Sequence, residues 1–239
     1  MFFKGINHYG DLGLILDFGS DSSQQISQEV NAVYALLQDL DLPQLNIIPS
    51  FNKIVLAFHN SKDRNQAQDA IEHNLAKANL KNSQKDRKVW NIPACYEDSF
   101  ALDRELIQAT HGLSKEEFIS KHTSTPYYAY YIGFMPGFPY LGDIDPSLIT
   151  PRLATPRIQI PARSIGIAKE HTCVYPKVSP GGWNIIGQVP FDIFSLEHSR
   201  TSLFLPGDTV QFQSISEKEF LQIQSKHLTF DEIIKEFSK

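Results

Sequence analysis

Two cysteines in 239 residues cannot build a disulfide framework, and Cys95 and Cys173 stand too far apart for a C-x-x-C pair. Both read as reduced, structural side chains. Positive charge is also scarce: a net charge of -5 gives no footing for nucleic acid and no attraction to an anionic membrane. No stretch approaches the ~18 consecutive apolar residues of a membrane span. The opening MFFKGINHYGDLGLILDFG lacks a continuous apolar core and a small-residue cleavage site. A soluble, cytoplasmic protein without a signal peptide is expected. The motifs of self-sufficient enzymes are missing too. There is no G-x-x-x-x-G-K-[ST] or G-x-G-x-x-G to cradle a nucleotide, no G-x-S-x-G, and no H-E-x-x-H among eight histidines. No metal site is expected, and a subunit or binding module is favoured over a stand-alone catalyst.

What is present divides along the chain. Residues 12–18 suit a strand, and Asp21, Ser22 and Ser23 offer caps for a helix with Ile26, Val30, Val33, Leu37 and Leu40 on one face, ended by Pro43. Residues 45–49 and 53–58 read as two strands. A second helix from about Asp63 carries Ala67, Ile71, Leu75 and Ala78 inward. This β-α-β-β-α order predicts an α+β domain over 1–85. Residues 81–88 hold no large apolar side chain and read as a linker or a solvated loop. A strand at 89–93 and two short helices follow, the second opened by a capping box of Ser114 and Glu117. From Tyr127 the pattern becomes short strands (127–134, 157–162, 164–168, 172–176, 184–189, 201–205 and 209–213), with a hairpin turn at Pro206, Gly207 and Asp208. Ser216 with Glu219 and Thr229 with Glu232 cap two last helices. A closed, mainly β domain over 86–239 is predicted.

Residues 133–187 hold more than half of the chain's 13 glycines and 14 prolines, so backbone must come close there to another part of the fold or to a ligand. Arg152 and Arg157 each follow a proline that pre-sets the backbone, and a guanidinium fork suits a carboxylate or phosphate. Lys169 adds a point charge. Ser179, Gly181 and Gly182 offer a turn whose amides form an anion nest. Phe134 and Phe138 supply an aromatic wall. His122 and His171 titrate near neutrality and are candidates for moving protons. Each has a plainer reading beside it: surface salt bridges for the arginines, a Trp183 plug for the SPGGW turn, interface packing for PGFPYLG, and structural roles for both histidines.

Three segments, GF-x-PGFPYLG at 133–142, PR-x-x-x-PR-x-x-[IV]PA at 151–162 and SPGGW-x-[IL]IG at 179–187, resemble the KipI/allophanate hydrolase subunit 1 family. Tyr9, Gly10 and Asp11, the 92–96 segment, 111–114 and His122-Thr123 carry the similarity over nearly the whole chain. The resemblance implies an N-terminal α+β domain followed by a cyclophilin-like β-barrel. It also implies a subunit of a bacterial ATP-dependent 5-oxoprolinase, which cleaves 5-oxoproline to L-glutamate. ATP, with or without Mg, would then be a co-substrate. The partners implied are a second cyclophilin-like subunit of the PxpC/KipA type and a PxpA-type subunit. Other members imply alternatives: an inhibitor of a sensor histidine kinase, or a subunit of an allophanate or urea amidohydrolase. Arg163 stands where the family usually has glycine, residues 169–173 replace a GG-Q-T-G segment, and Gln188 replaces an arginine.

Overall fold

A computed structural model describes residues 2–78 and 87–239, which form two compact units, Met1–Arg87 and Lys88–Lys239. The expected boundary at 85/86 and residues 81–86 of the candidate linker lie outside the described residues.

The first unit runs β1 (Gly5–Tyr9), β2 (Gly13–Asp17), α1 (Gln24–Gln38), β3 (Gln44–Pro49), β4 (Lys53–Phe58) and α2 (Ser61–Lys77). Its antiparallel sheet has the order β1-β2-β4-β3. Alternation on β4 sends Ile54, Leu56 and Phe58 into a core shared with Val30, Val33 and Leu37 of α1 and Ala67 and Ile71 of α2. The sequence reading missed β1. That strand is polar and largely exposed, and it is held by its ladder to β2 rather than by an apolar face.

The second unit contains β5 (Val89–Cys95), α3 (Arg104–His111), α4 (Lys115–Ser124), β6 (Tyr127–Ile132), β7 (Pro139–Gly142), β8 (Arg157–Ile160), β9 (Ser164–Ala168), β10 (His171–Val174), β11 (Ser179–Gly181), β12 (Asn184–Gln188), β13 (Thr209–Ile215), α5 (Glu217–Ser225) and α6 (Phe230–Phe237). Seven strands close into a barrel in the order β10-β7-β6-β13-β5-β12-β9, shut by the β9–β10 hairpin. Its interior is filled by alternate side chains, among them Trp90, Ile92, Ala129, Leu141, Ile165, Ile167, Val210 and Phe212.

Residues 201–205 do not form the expected strand. They meet 193–195 in an isolated bridge between Phe194 and Ser202, with Leu203 N donating to Ile193 O and Ser195 N to Thr201 O. The turn after them is fixed instead by the buried carboxylate of Asp208, which accepts from Lys88 N, Trp90 Nε1, Leu205 N and Arg200. The capping boxes at Ser114, Ser216 and Thr229 are all formed.

The site is positioned by a second apolar layer. Strands β9 and β10 are buried on both faces, because the β8–β11 ribbon and residues 134–140 cover their outside. Phe138, Ile160, Ala168, Cys173, Tyr175, Trp183 and Ile185 form this outer cluster, with Met135 and Tyr140 packed against it.

Candidate functional site: an aromatic cavity beneath Arg152

Phe138 is 1% exposed and holds four rings edge-on: Phe134 at 5.4 Å, Tyr140 at 5.2 Å, Tyr175 at 5.1 Å and Trp183 at 5.7 Å. Such contacts set the positive ring edge against a negative face, so they fix orientation as well as bury area. Around this pivot the chain leaves a cavity of about 160 Å³, lined by Phe134, Tyr140, Arg152, Tyr175, Gly181 and Trp183. Gly181 is required there: a β-carbon would stand 2.4 Å from the Tyr175 hydroxyl. Phe134 takes a left-handed φ of 69° and is 63% exposed, an arrangement that costs backbone energy and holds its ring at the rim.

Arg152 is exposed, and among the described residues its guanidinium is paired with no carboxylate. Its Nε passes 3.7 Å from where a β-carbon on Gly182 would stand. The cavity therefore combines apolar walls, phenol hydroxyls and an uncommitted cation, which suits a small ring bearing a carboxylate.

One wall has support of its own. Tyr131 lies on Tyr140, ring centroids 4.4 Å apart and 8° from parallel. Burial, and next its hydrogen bond to Tyr140, hold the Tyr131 phenol well above its usual range. Burial likewise raises Tyr175.

The other residues named from the sequence fall elsewhere. Arg157 is committed to a carboxylate of the chain itself: its NH1 and NH2 donate to Asp103 Oδ2 and Oδ1 at 2.8 and 2.6 Å. The same Oδ2 accepts from Ile185 N at 2.6 Å, so the fork ties the start of α3 to β8 and β12. Lys169 is exposed, lies outside the cavity lining and takes a left-handed φ of 52°. The amide nest does not form, since Ser179–Gly181 is strand β11 and neither Gly181 nor Gly182 adopts a left-handed φ. Ser179 is 7% exposed, with no hydrogen-bond partner for its hydroxyl among the described residues.

His122 is entirely buried, stacked between Phe118 and Phe212. Thr172 donates to Gly166 O and so accepts from His122 Nε2, which leaves Nδ1 to accept from the Tyr96 hydroxyl at 2.8 Å. Desolvation lowers its pKa to about 3. A neutral, fully bonded core imidazole does not suit proton transfer at neutral pH and fits the plainer, structural reading of this residue. His171 is half-buried behind Tyr140, its ring 6.2 Å away, and burial lowers its pKa. It stands one ring removed from the cavity.

Two larger hollows lie along residues 190–198 and the 221–233 region; none of the candidate site residues lines either, though Arg163 borders one and the capping residue Thr229 the other. Sequence reasoning missed Tyr140 and Tyr175 as cavity walls; their only signal was aromatic residues recurring beside Gly and Pro.

Residues 4–204 match the family described as carboxyltransferase domain, subdomain C and D. The chain belongs to this family. A protein of Bacillus subtilis (strain 168), named as the B-type subunit of 5-oxoprolinase, is 33% identical over 227 residues, which are 90% of this chain and 94% of that protein. The resemblance read from the motifs is thus shown by full-length similarity. The crystal structure of TTHA0988 matches with a TM-score of 0.75 at 28% identity, covering 85% of this chain and 40% of that one. This chain therefore spans less than half of that longer polypeptide. The Kluyveromyces lactis urea amidolyase matches with a TM-score of 0.72 over 93% of this chain and 15% of its own; at 18% identity, this likeness concerns the fold alone. Among the described residues no helix is long and apolar enough to cross a membrane, and no three His, Cys, Asp or Glu side chains gather as a metal site.

Proposed function

We propose that this chain is the PxpB-type subunit of a cytoplasmic, ATP-dependent 5-oxoprolinase that opens 5-oxoproline to L-glutamate. The carrying observation is the cavity of about 160 Å³ that joins five aromatic and glycine walls to the guanidinium of Arg152. 5-Oxoproline is a five-membered lactam with one carboxylate. In this reading its ring lies among Phe134, Tyr140, Tyr175 and Trp183, and its carboxylate pairs with Arg152 in a bidentate manner. The apolar walls exclude water from the ring, which strengthens each polar contact made inside.

ATP acts as co-substrate by activating the lactam carbonyl oxygen, and the groups that hold it come from partner subunits. A second cyclophilin-like subunit of the PxpC/KipA type covers the open side of the cavity, and a PxpA-type subunit completes the complex. Support comes from the Bacillus subtilis relative, whose name makes it one subunit of a 5-oxoprolinase, and from the chain's lack of a nucleotide motif. The two free cysteines, Cys95 and Cys173, are buried, and burial raises both thiols, so neither is a nucleophile here.

Co-expression with both partners tests the proposal through glutamate release from 5-oxoproline. Turnover is expected only when all subunits and ATP are present. ATP-dependent turnover by this chain alone would refute the obligate-subunit assignment, and a complete complex inactive on 5-oxoproline but active on allophanate would replace it.

A further inference from the structure

We propose that Tyr140 is the group that reads the lactam carbonyl, and that Tyr131 is its positioning residue. This rests on the reading of the cavity given above.

Strands β6 and β7 pair Ala129 with Leu141 and then Tyr131 with Tyr140, so Tyr130 is an extra residue in the ladder. A bulge of this kind turns side chains and is over-represented beside active sites. Here it brings Tyr131 directly opposite the cavity wall Tyr140, where the two rings stack at 4.4 Å. The displaced Tyr130 sends its hydroxyl to Asp143 Oδ1 at 2.9 Å. Gly133 clears the space: a β-carbon there would stand 2.4 Å from the Tyr131 ring. Bulge, cross-strand register and clearance all serve a tyrosine that is not itself a cavity wall.

The chemistry follows from what a phenol can do. In this proposal Tyr131 donates to Tyr140: a hydroxyl has one donor and two acceptor positions, so the Tyr140 oxygen then still carries its own proton. Accepting polarises the Tyr140 O–H and makes it a better donor. Arg152 answers a carboxylate on any ring, whereas an oriented phenol O–H distinguishes a ring carbonyl from a methylene. A site built to bond a polar group discriminates against an analogue lacking it far better than an apolar wall does.

Calorimetric titration of 5-oxoproline and of cyclopentanecarboxylate into the chain tests this. The unaltered protein should prefer the lactam. Tyr140→Phe should weaken 5-oxoproline about tenfold and leave the carbocycle unchanged, as loss of one hydrogen bond would. Tyr131→Phe should weaken the lactam about threefold, again without effect on the carbocycle; a merely structural role would weaken both alike. If both ligands bind through Arg152 but neither substitution changes their ratio, the assignment of the tyrosines is overturned while the cavity reading stands. If neither ligand binds, or binding ignores Arg152→Ala, the cavity reading fails and this inference with it.

Discussion

Arg157 grips Asp103 with both terminal nitrogens, at 2.8 and 2.6 Å, across 54 residues of sequence. The Asp103 side chain is 7% exposed, and one of its oxygens also receives the Ile185 amide. Removing the guanidinium leaves a buried carboxylate with half its partners. Arg157→Ala should therefore cost on the order of 3 kcal/mol in urea denaturation, because an uncompensated buried charge is expensive. It should not weaken ligand binding in the surviving folded protein. An unchanged urea midpoint would show that the pair is not structural.

His122 makes stability depend on pH. Its folded pKa is about 3, against 6.5 when the chain is unfolded. Below pH 6.5 the unfolded chain takes up a proton that the native state refuses, so stability falls as acid is added. Between pH 6.5 and 5 this group alone should remove about 2 kcal/mol. His171, lowered in the same direction, adds to the slope. The lowered carboxylates, such as Asp17 and Asp145, enter only at more acid pH, near their usual range and below. Denaturation curves at pH 7 and pH 5 measure the effect, and His122→Asn should flatten the difference.

Asp208 is 2% exposed and accepts from the Trp90 indole, Arg200 and the amides of Lys88 and Leu205. It joins the start of β5 to the turn before β13, the parallel pair of the barrel. Asp208→Ala should destabilise by about 3 kcal/mol or more, since several buried donors lose their acceptor together. A chemical melt that shifts by less than a few tenths would contradict this.

Lys169 sits at a left-handed φ of 52°, a conformation that glycine adopts without strain. Lys169→Gly should raise stability by about 0.5–1 kcal/mol despite the added freedom of the unfolded chain. Full retention of ligand binding is expected as well, because Lys169 lies outside the cavity.

The parts of the fold that were legible in the sequence are the local ones. Ser114, Ser216 and Thr229 each bond an amide three residues on, so their helices announce themselves within one turn. Strand β7 stayed hidden inside a Gly- and Pro-rich segment, since its pairing with β6 and β10 is set by barrel closure. In the site, Phe134, Arg152 and Gly181 stood out by residue type and neighbours. The commitment of Arg157 did not, because its partner lies on a distant helix start. Nor could sequence show that His122 is sealed among Phe118, Tyr127 and Phe212.

Trp183 lines the cavity, whereas Trp90 is sealed in the barrel core, so indole fluorescence on adding 5-oxoproline reports on the proposed site most directly. The account predicts a saturable change that Arg152→Ala weakens at least tenfold and Arg157→Ala, in its folded fraction, leaves intact. Equal responses from the two arginine variants, or none from the unaltered chain together with its partner subunits, would contradict it.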